Sequence, residues 1–136
     1  ASYYGLDFVQ PCERFIQDHL SRFDFDFVDF DDEGSPAIAL RMFFDAIRET
    51  RKRDFVLCFT DGILQSMMVR GPWTPSNYSI VSTGAKQSTA DDYQNCEAII
   101  SRFLEQVAQP FKLDWLGLER NSRGTAVYGS CVVRCA

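Results

Sequence analysis

The chain has 136 residues, a length that fits one folded domain. Hydrophobic residues make up 46% of it and charged residues 24%, which excludes an intrinsically disordered chain. The 19 acidic and 14 basic residues give a formal net charge of -5, which disfavours nucleic acid and anionic membranes as partners and suits a basic protein partner.

The five cysteines do not predict a disulfide framework, because their number is odd and their spacing irregular. They are Cys12, Cys58, Cys96, Cys131 and Cys135. We therefore expect a reducing compartment, and the cytoplasm is the simplest choice. No apolar run approaches the roughly 18 residues that a membrane span needs, so no membrane segment is expected.

The first part of the chain predicts a short edge strand within residues 1–8, followed by a helix, a strand and a second helix. Apolar residues recur at helical spacing along the first helix: Cys12, Phe15, Ile16, His19, Leu20 and Phe23. In "FDFDFVDF", residues 23–30, aromatic and acidic residues alternate, which predicts a strand with Phe23, Phe25 and Phe27 on its buried face. Ser35 is the predicted N-cap of the second helix, with Pro36 in its first turn.

The segment "FVLCFTDGILQSMMV", residues 55–69, predicts a β-hairpin. Asp61 and Gly62 separate two strand-forming runs, and this dipeptide favours a two-residue type I′ turn. One face of the ribbon, with Phe55, Leu57 and Phe59, should then meet the helices.

The rest of the chain predicts a loop, a third strand, a third helix and a second hairpin. The loop is "RGPWTPSN" and the strand is "YSIVST". The helix has Ser88 or Thr89 as its cap and an apolar stripe of Tyr93, Cys96, Ile100, Phe103, Leu104 and Val107, and it should stop before Pro110. The hairpin joins "FKLDWLGLE" and "TAVYGSCVV" through "RNSRG".

These elements predict one α+β domain in the order α-β-α-β-β-β-α-β-β. A mostly antiparallel sheet of five or six strands should carry about three helices on one face. The order is similar to a ferredoxin-like split βαβ unit with additions, and a profilin- or longin-like layer is a comparable alternative.

An acidic run is the densest charged feature, and it comprises Asp24, Asp26, Asp29, Asp31, Asp32 and Glu33. It resembles the start of a calcium loop, but Leu40 stands where such a loop needs a bidentate Glu. We therefore interpret the run as a solvated strand face and turn that could contact a basic partner. No metal site and no cofactor are expected, since phosphate-binding glycine motifs and zinc-ligand spacings are missing.

A Cys-His catalytic pair would need His19, the single histidine, beside Cys58 or Cys131. His19 lies on the apolar stripe of the first helix, which indicates the edge of a core. Trp73, between two prolines, is the strongest candidate for an aromatic interface residue.

The sequence favours a non-enzymatic protein-binding module of the inhibitor or immunity type, or a virus or phage accessory protein. It would act by surface complementarity on a protein partner, with contacts from Trp73, Asp24, Asp26, Asp29, Asp31 and Asp32. Two alternatives stay open: a small hydrolase or transferase with a Cys-His pair, and a homo-oligomeric structural subunit, such as a homodimer that pairs sheet edges.

Overall fold

The computed structural model describes residues 2–3, 6–7, 12–18, 20, 24–31, 34–64 and 94–135. The strands are β1 (Ser2–Tyr3), β2 (Leu6–Asp7), β3 (Phe27–Phe30), β4 (Phe55–Asp61), β5 (Lys112–Arg120) and β6 (Val127–Arg134). The helices are α1 (Cys12–Asp18), α2 (Ala37–Ile47) and α3 (Cys96–Val107). These elements confirm the α+β class, whereas the predicted strand "YSIVST" lies outside the described residues.

The main sheet has four strands in the order β3-β4-β6-β5. β3 and β4 are parallel, while β6 pairs antiparallel with both β4 and β5. Within the described residues, the main sheet therefore has four strands where five or six are predicted. It is mixed, because two of its three pairings are antiparallel and the pairing of β3 with β4 is parallel. The parallel pair arises because α2 carries the chain back to the edge of the sheet from which β3 started.

The helices cover one face of the sheet, and phenylalanine dominates the core between them. Phe55, Leu57 and Phe59 of β4 are buried, which confirms the predicted inner face. The ring of Phe43 in α2 lies 5.7 Å from that of Phe55 and 5.4 Å from that of Phe30, both edge-on. Edge-to-face contacts of this kind add to the stabilisation that burial itself provides.

The predicted hairpin at Asp61 and Gly62 does not form, and a turn of helix at Ile63 and Leu64 takes its place. The cause is Asp61, whose side chain is fully buried. One carboxylate oxygen accepts the Ile63 N–H at 2.9 Å and the other accepts the Ser35 hydroxyl at 2.9 Å. The carboxylate stabilises the turn at Ile63, and β4 therefore ends at Asp61. The strands that pair with β4 are β3 and β6.

Ser35 also differs slightly from its predicted role. α2 begins at Ala37, with Pro36 at the N-cap position and no side-chain capping bond there. The Ser35 hydroxyl accepts the Ala37 N–H at 3.4 Å and donates to Asp61. This hydroxyl therefore connects the start of α2 to the end of β4.

Burial raises the pKa of Asp61 from 3.8 to about 6, against the lowering effect of its two hydrogen bonds. The folded protein thus binds a proton more tightly than the unfolded chain. This stabilisation is complete below pH 3.8, is lost as pH rises through about 6, and amounts to about 3 kcal/mol.

We expect Asp61→Asn to abolish this contribution. The free energy of unfolding of the wild type, relative to the variant, should fall by about 3 kcal/mol as pH rises through the window, measured by urea unfolding. Comparison with the variant removes the opposite slope that Glu97 contributes, because its hydrogen bond with Arg120 lowers its pKa. A difference that stays constant with pH would contradict the buried position of Asp61.

The guanidinium of Arg51 fixes the start of β3. It donates to the Asp24 carboxylate at 2.9 Å and to the carbonyl of Phe25 at 2.5 Å. Its central carbon lies 4.3 Å from the centre of the Phe25 ring and 5.1 Å from that of Phe55. The Arg51 side chain is only 7% exposed, so these contacts replace water almost completely.

Beside the Arg51 contact, the side chains of the strand do not follow the predicted alternation. Phe25 is buried as expected, but a bend at Asp26 follows, and Phe27 is 58% exposed. The prediction that Phe27 faces the core is therefore wrong. The bend reverses the alternation, so that Val28 and Phe30 point inward instead.

We expect Arg51→Met to lower the free energy of unfolding by about 3 kcal/mol, because three backbone carbonyls and Asp24 lose a charged donor. Arg51→Lys should lose about half as much, since an ammonium keeps the charge but not the planar fork. Lys52→Met, at the exposed neighbouring position, is the matched control and should change stability by less than about 0.5 kcal/mol. Equal effects at positions 51 and 52 would be inconsistent with a structural role for Arg51.

The apolar stripe and the end of the third helix and the last hairpin match their predictions, whereas α3 begins later than predicted, at Cys96, with Asn95 at its N-cap. Cys96, Ile100, Phe103, Leu104 and Val107 are the buried stripe of α3. β5 and β6 form the predicted hairpin, and Glu97 of α3 pairs with Arg120 of β5. The predicted caps Ser88 and Thr89 lie outside the described residues. No described helix has the length and apolar character to cross a membrane.

Candidate partner-binding face

The face of the main sheet turned away from the helices, called the open face below, carries side chains from all four strands. The strand registers arrange them in four cross-strand rows. The rows are Arg134 and Lys112; Phe27, Val56, Val132 and Asp114; Asp29, Cys58, Ser130 and Gly117; and Thr60, Tyr128 and Glu119. Phe27 is 58% exposed and Tyr128 is 50% exposed, so aromatic surface meets solvent on this face.

A shallow depression of about 340 Å³ lies at the centre of the open face. Its floor follows the row of small side chains, where Gly117 and Ser130 are adjacent, and Tyr128 forms one wall. A side chain at Gly117 would meet only the Ser130 hydroxyl, at 3.9 Å, so the space above Gly117 is open. The depression exists because a row of small side chains lies beside the row that carries Tyr128 and Glu119.

Two carboxylates, Asp29 and Glu119, line opposite sides of the depression. Neither forms an ion pair with any cation in the described part of the chain. Burial raises the pKa of Asp29, and the negative charge of Asp31 raises it further. Because Asp114 pairs with Arg134, Asp29 and Glu119 are the open-face carboxylates without an ion pair among the described residues, and both line the depression.

The acidic residues predicted as contacts divide into two groups. Asp24 and Asp26 are exposed but pair with Arg53 at 3.0 and 2.7 Å, and Asp24 also pairs with Arg51. Asp29 lies on the open face, and the exposed Asp31 follows β3 directly. Asp32 and Trp73 lie outside the described residues, so their predicted contacts stay predictions.

The sequence pattern does not single out Tyr128 or Glu119, which line the depression, or Phe27, which is exposed in the neighbouring row. The alternation of Phe27 with Asp24 and Asp26 looks unbroken and predicts a core position for it. Alternation in "TAVYGSCVV" could have placed Tyr128 opposite the buried Val127, Cys131 and Val133. Glu119 was hidden by an irregularity in β5, where the register shifts between Trp115 and Gly117.

The two cysteines considered as nucleophiles lie on opposite faces of the sheet. Cys58 lines the depression, where burial and the charge of Asp29 raise the pKa of its thiol. Cys131 is fully buried on the inner face, and burial, with smaller effects of Cys58 and Asp114, raises its pKa to about 12. Both environments therefore favour the thiol over the nucleophilic thiolate.

His19 lies outside the described residues. Within the described ranges, no three His, Cys, Asp or Glu side chains form a cluster that could hold a metal ion.

We expect Cys58 to react with iodoacetamide at neutral pH more slowly than a cysteine in a short unstructured peptide, because its thiolate fraction is lower. Cys131 should stay unmodified while the protein is folded. Mass spectrometry of tryptic peptides over time measures both rates, with Cys58→Ser as the control for assignment. A Cys58 rate above that of the peptide would indicate an activated thiolate and favour the Cys-His alternative.

Comparison of the sequence with protein-family models gives no match, and comparison with curated proteins gives none either.

Proposed function

We propose that the protein is a non-enzymatic binding module that holds a basic segment of a protein partner on its open face. The observation that carries this proposal is the depression, in which Asp29 and Glu119, two carboxylates that form no ion pair with a described residue, flank a half-exposed aromatic ring, Tyr128. Exposed aromatic surface together with unbalanced charge is typical of a contact surface rather than of a solvated face.

A lysine or arginine side chain of the partner is the group that suits the depression best. Its aliphatic stem would cover Cys58, Gly117 and Ser130, while its cationic head would reach the carboxylate of Asp29 or Glu119. The ring of Tyr128 would add a cation–π contact. Phe27 and Val132, in the neighbouring row, would pack against apolar side chains on either side of the basic residue.

The environments of the thiols support binding rather than catalysis, because neither Cys58 nor Cys131 is held as a thiolate. The net charge of -5 supports the same conclusion, since it would accelerate the approach of a basic partner. A module of this kind would act as an inhibitor if the basic segment it covers is needed by the partner. Trp73, Asp24, Asp26, Asp31 and Asp32 remain proposed additional contacts.

The test selects peptides from a displayed random library on the immobilised wild-type protein. We expect the selected peptides to be enriched in Lys and Arg. Their affinity should fall as salt rises. Gly117→Val, which fills the depression, should weaken binding by about tenfold or more, and Tyr128→Ala by a similar factor. Asp29→Asn should reduce mainly the salt dependence.

Asp45→Asn is the matched control, because this exposed carboxylate lies on α2, away from the open face. Affinities are measured by isothermal titration with the peptides recovered from the selection. Peptides without basic enrichment, or peptides that bind Gly117→Val as well as the wild type, would contradict the proposal. Circular dichroism checks that each variant is folded.

A further inference from the structure

β5 is an edge strand of nine residues, Lys112–Arg120, and among the described strands it pairs only with β6. About half of the N–H and C=O groups of such a strand point away from the sheet, where another strand can pair with them. Lys112, Asp114, Leu116 and Glu119 are all exposed. Leu116 is 65% exposed, which is the highest value among the exposed large hydrophobic residues of the described chain.

A β-bulge at Leu116 divides β5 into two halves. Trp115 pairs with Cys131 and Gly117 pairs with Ser130, so Leu116 is the extra residue. An extra residue reverses the alternation of side chains along the strand. Lys112 and Asp114 therefore share the open face with Gly117 and Glu119, whereas an unbroken strand would place residues 112 and 119 on opposite faces.

We propose that β5 pairs antiparallel with β5 of a second copy, across a two-fold axis that passes between Trp115 and Leu116. This register places Lys112 opposite Glu119 of the second copy and Leu113 opposite Leu118 of the second copy. Each pair occurs twice, and in each pair both side chains lie on the same face of the joined sheet. The exposed Leu116 then lies next to the axis, where the second copy covers it.

Charge complementarity selects a second copy as the occupant of this edge. Neither Lys112 nor Glu119 forms an ion pair with another described residue, and both are exposed. Opposite charges directly across an antiparallel pair stabilise it, and like charges destabilise it. The bulge permits this match because the two halves of β5 have opposite alternation. The result is a continuous eight-stranded sheet that joins two open faces.

The proposed dimer contact goes beyond the proposed binding of a basic segment and does not depend on it.

Sedimentation velocity, measured over a range of about hundredfold in protein concentration, should show a transition from monomer to dimer. Lys112→Glu, which places like charges opposite each other twice, should raise the dissociation constant of the dimer by about tenfold or more. The double variant Lys112→Glu with Glu119→Lys exchanges the charges, and it should return the constant to within about threefold of the wild type.

Arg123→Glu, in the exposed turn between β5 and β6, is the control and should leave the dissociation constant unchanged. Leu116→Lys should give a folded monomer, with folding checked by circular dichroism. A wild type that stays monomeric at every concentration would overturn the proposal. So would a dimer that tolerates Lys112→Glu, because its interface would then lie elsewhere. Failure of the charge exchange to restore the dimer would rule out the proposed register.

Discussion

The contact between Arg51 and the chain before β3 determines which side chains the sheet presents to solvent. Arg51 holds the carbonyl and the ring of Phe25, and the carbonyl of the next residue, Asp26, accepts the Val56 N–H at 2.9 Å. Because the chain bends at Asp26, the strand continues with Phe27 and Asp29 directed outward. If β3 kept the simple alternation, Asp29 would point into the core, and the depression would lose one of its two carboxylates.

Glycine shapes the two faces of the sheet in different ways. At Gly129 an added Cβ would lie 2.2 Å from the ring of Phe59, so the ring packs directly on the backbone of β6. At Gly117, on the open face, the missing side chain leaves space that solvent can enter. The neighbouring strands β6 and β5 thus both use glycine. Gly129 permits close packing on the inner face, and Gly117 leaves space for the depression on the open face.

The sequence predicted those parts of the fold in which local pattern and tertiary contacts agree. The stripes of α2 and α3, the inner face of β4 and the final hairpin all follow from apolar periodicity. The errors arose where a buried polar group overrides the pattern. Asp61 and Gly62 form a favourable hairpin turn in isolation, but the buried carboxylate stabilises a different turn. Arg51 likewise changes the direction of the chain between Phe25 and Phe27, and neither contact has a local signature.

The candidate face was only partly predictable for a related reason. Asp29 could be selected from its charge, whereas Phe27, Tyr128 and Glu119 come together only through the order of the strands and the bulge in β5.

The order β3-β4-β6-β5 also has a consequence for biosynthesis. β6 lies between β4 and β5 but follows both along the chain, so a ribosome completes its two neighbours first. Until β6 emerges, the N–H and C=O groups of β4 and β5 that β6 will pair with have no strand partner, and a chaperone or another nascent chain can bind them.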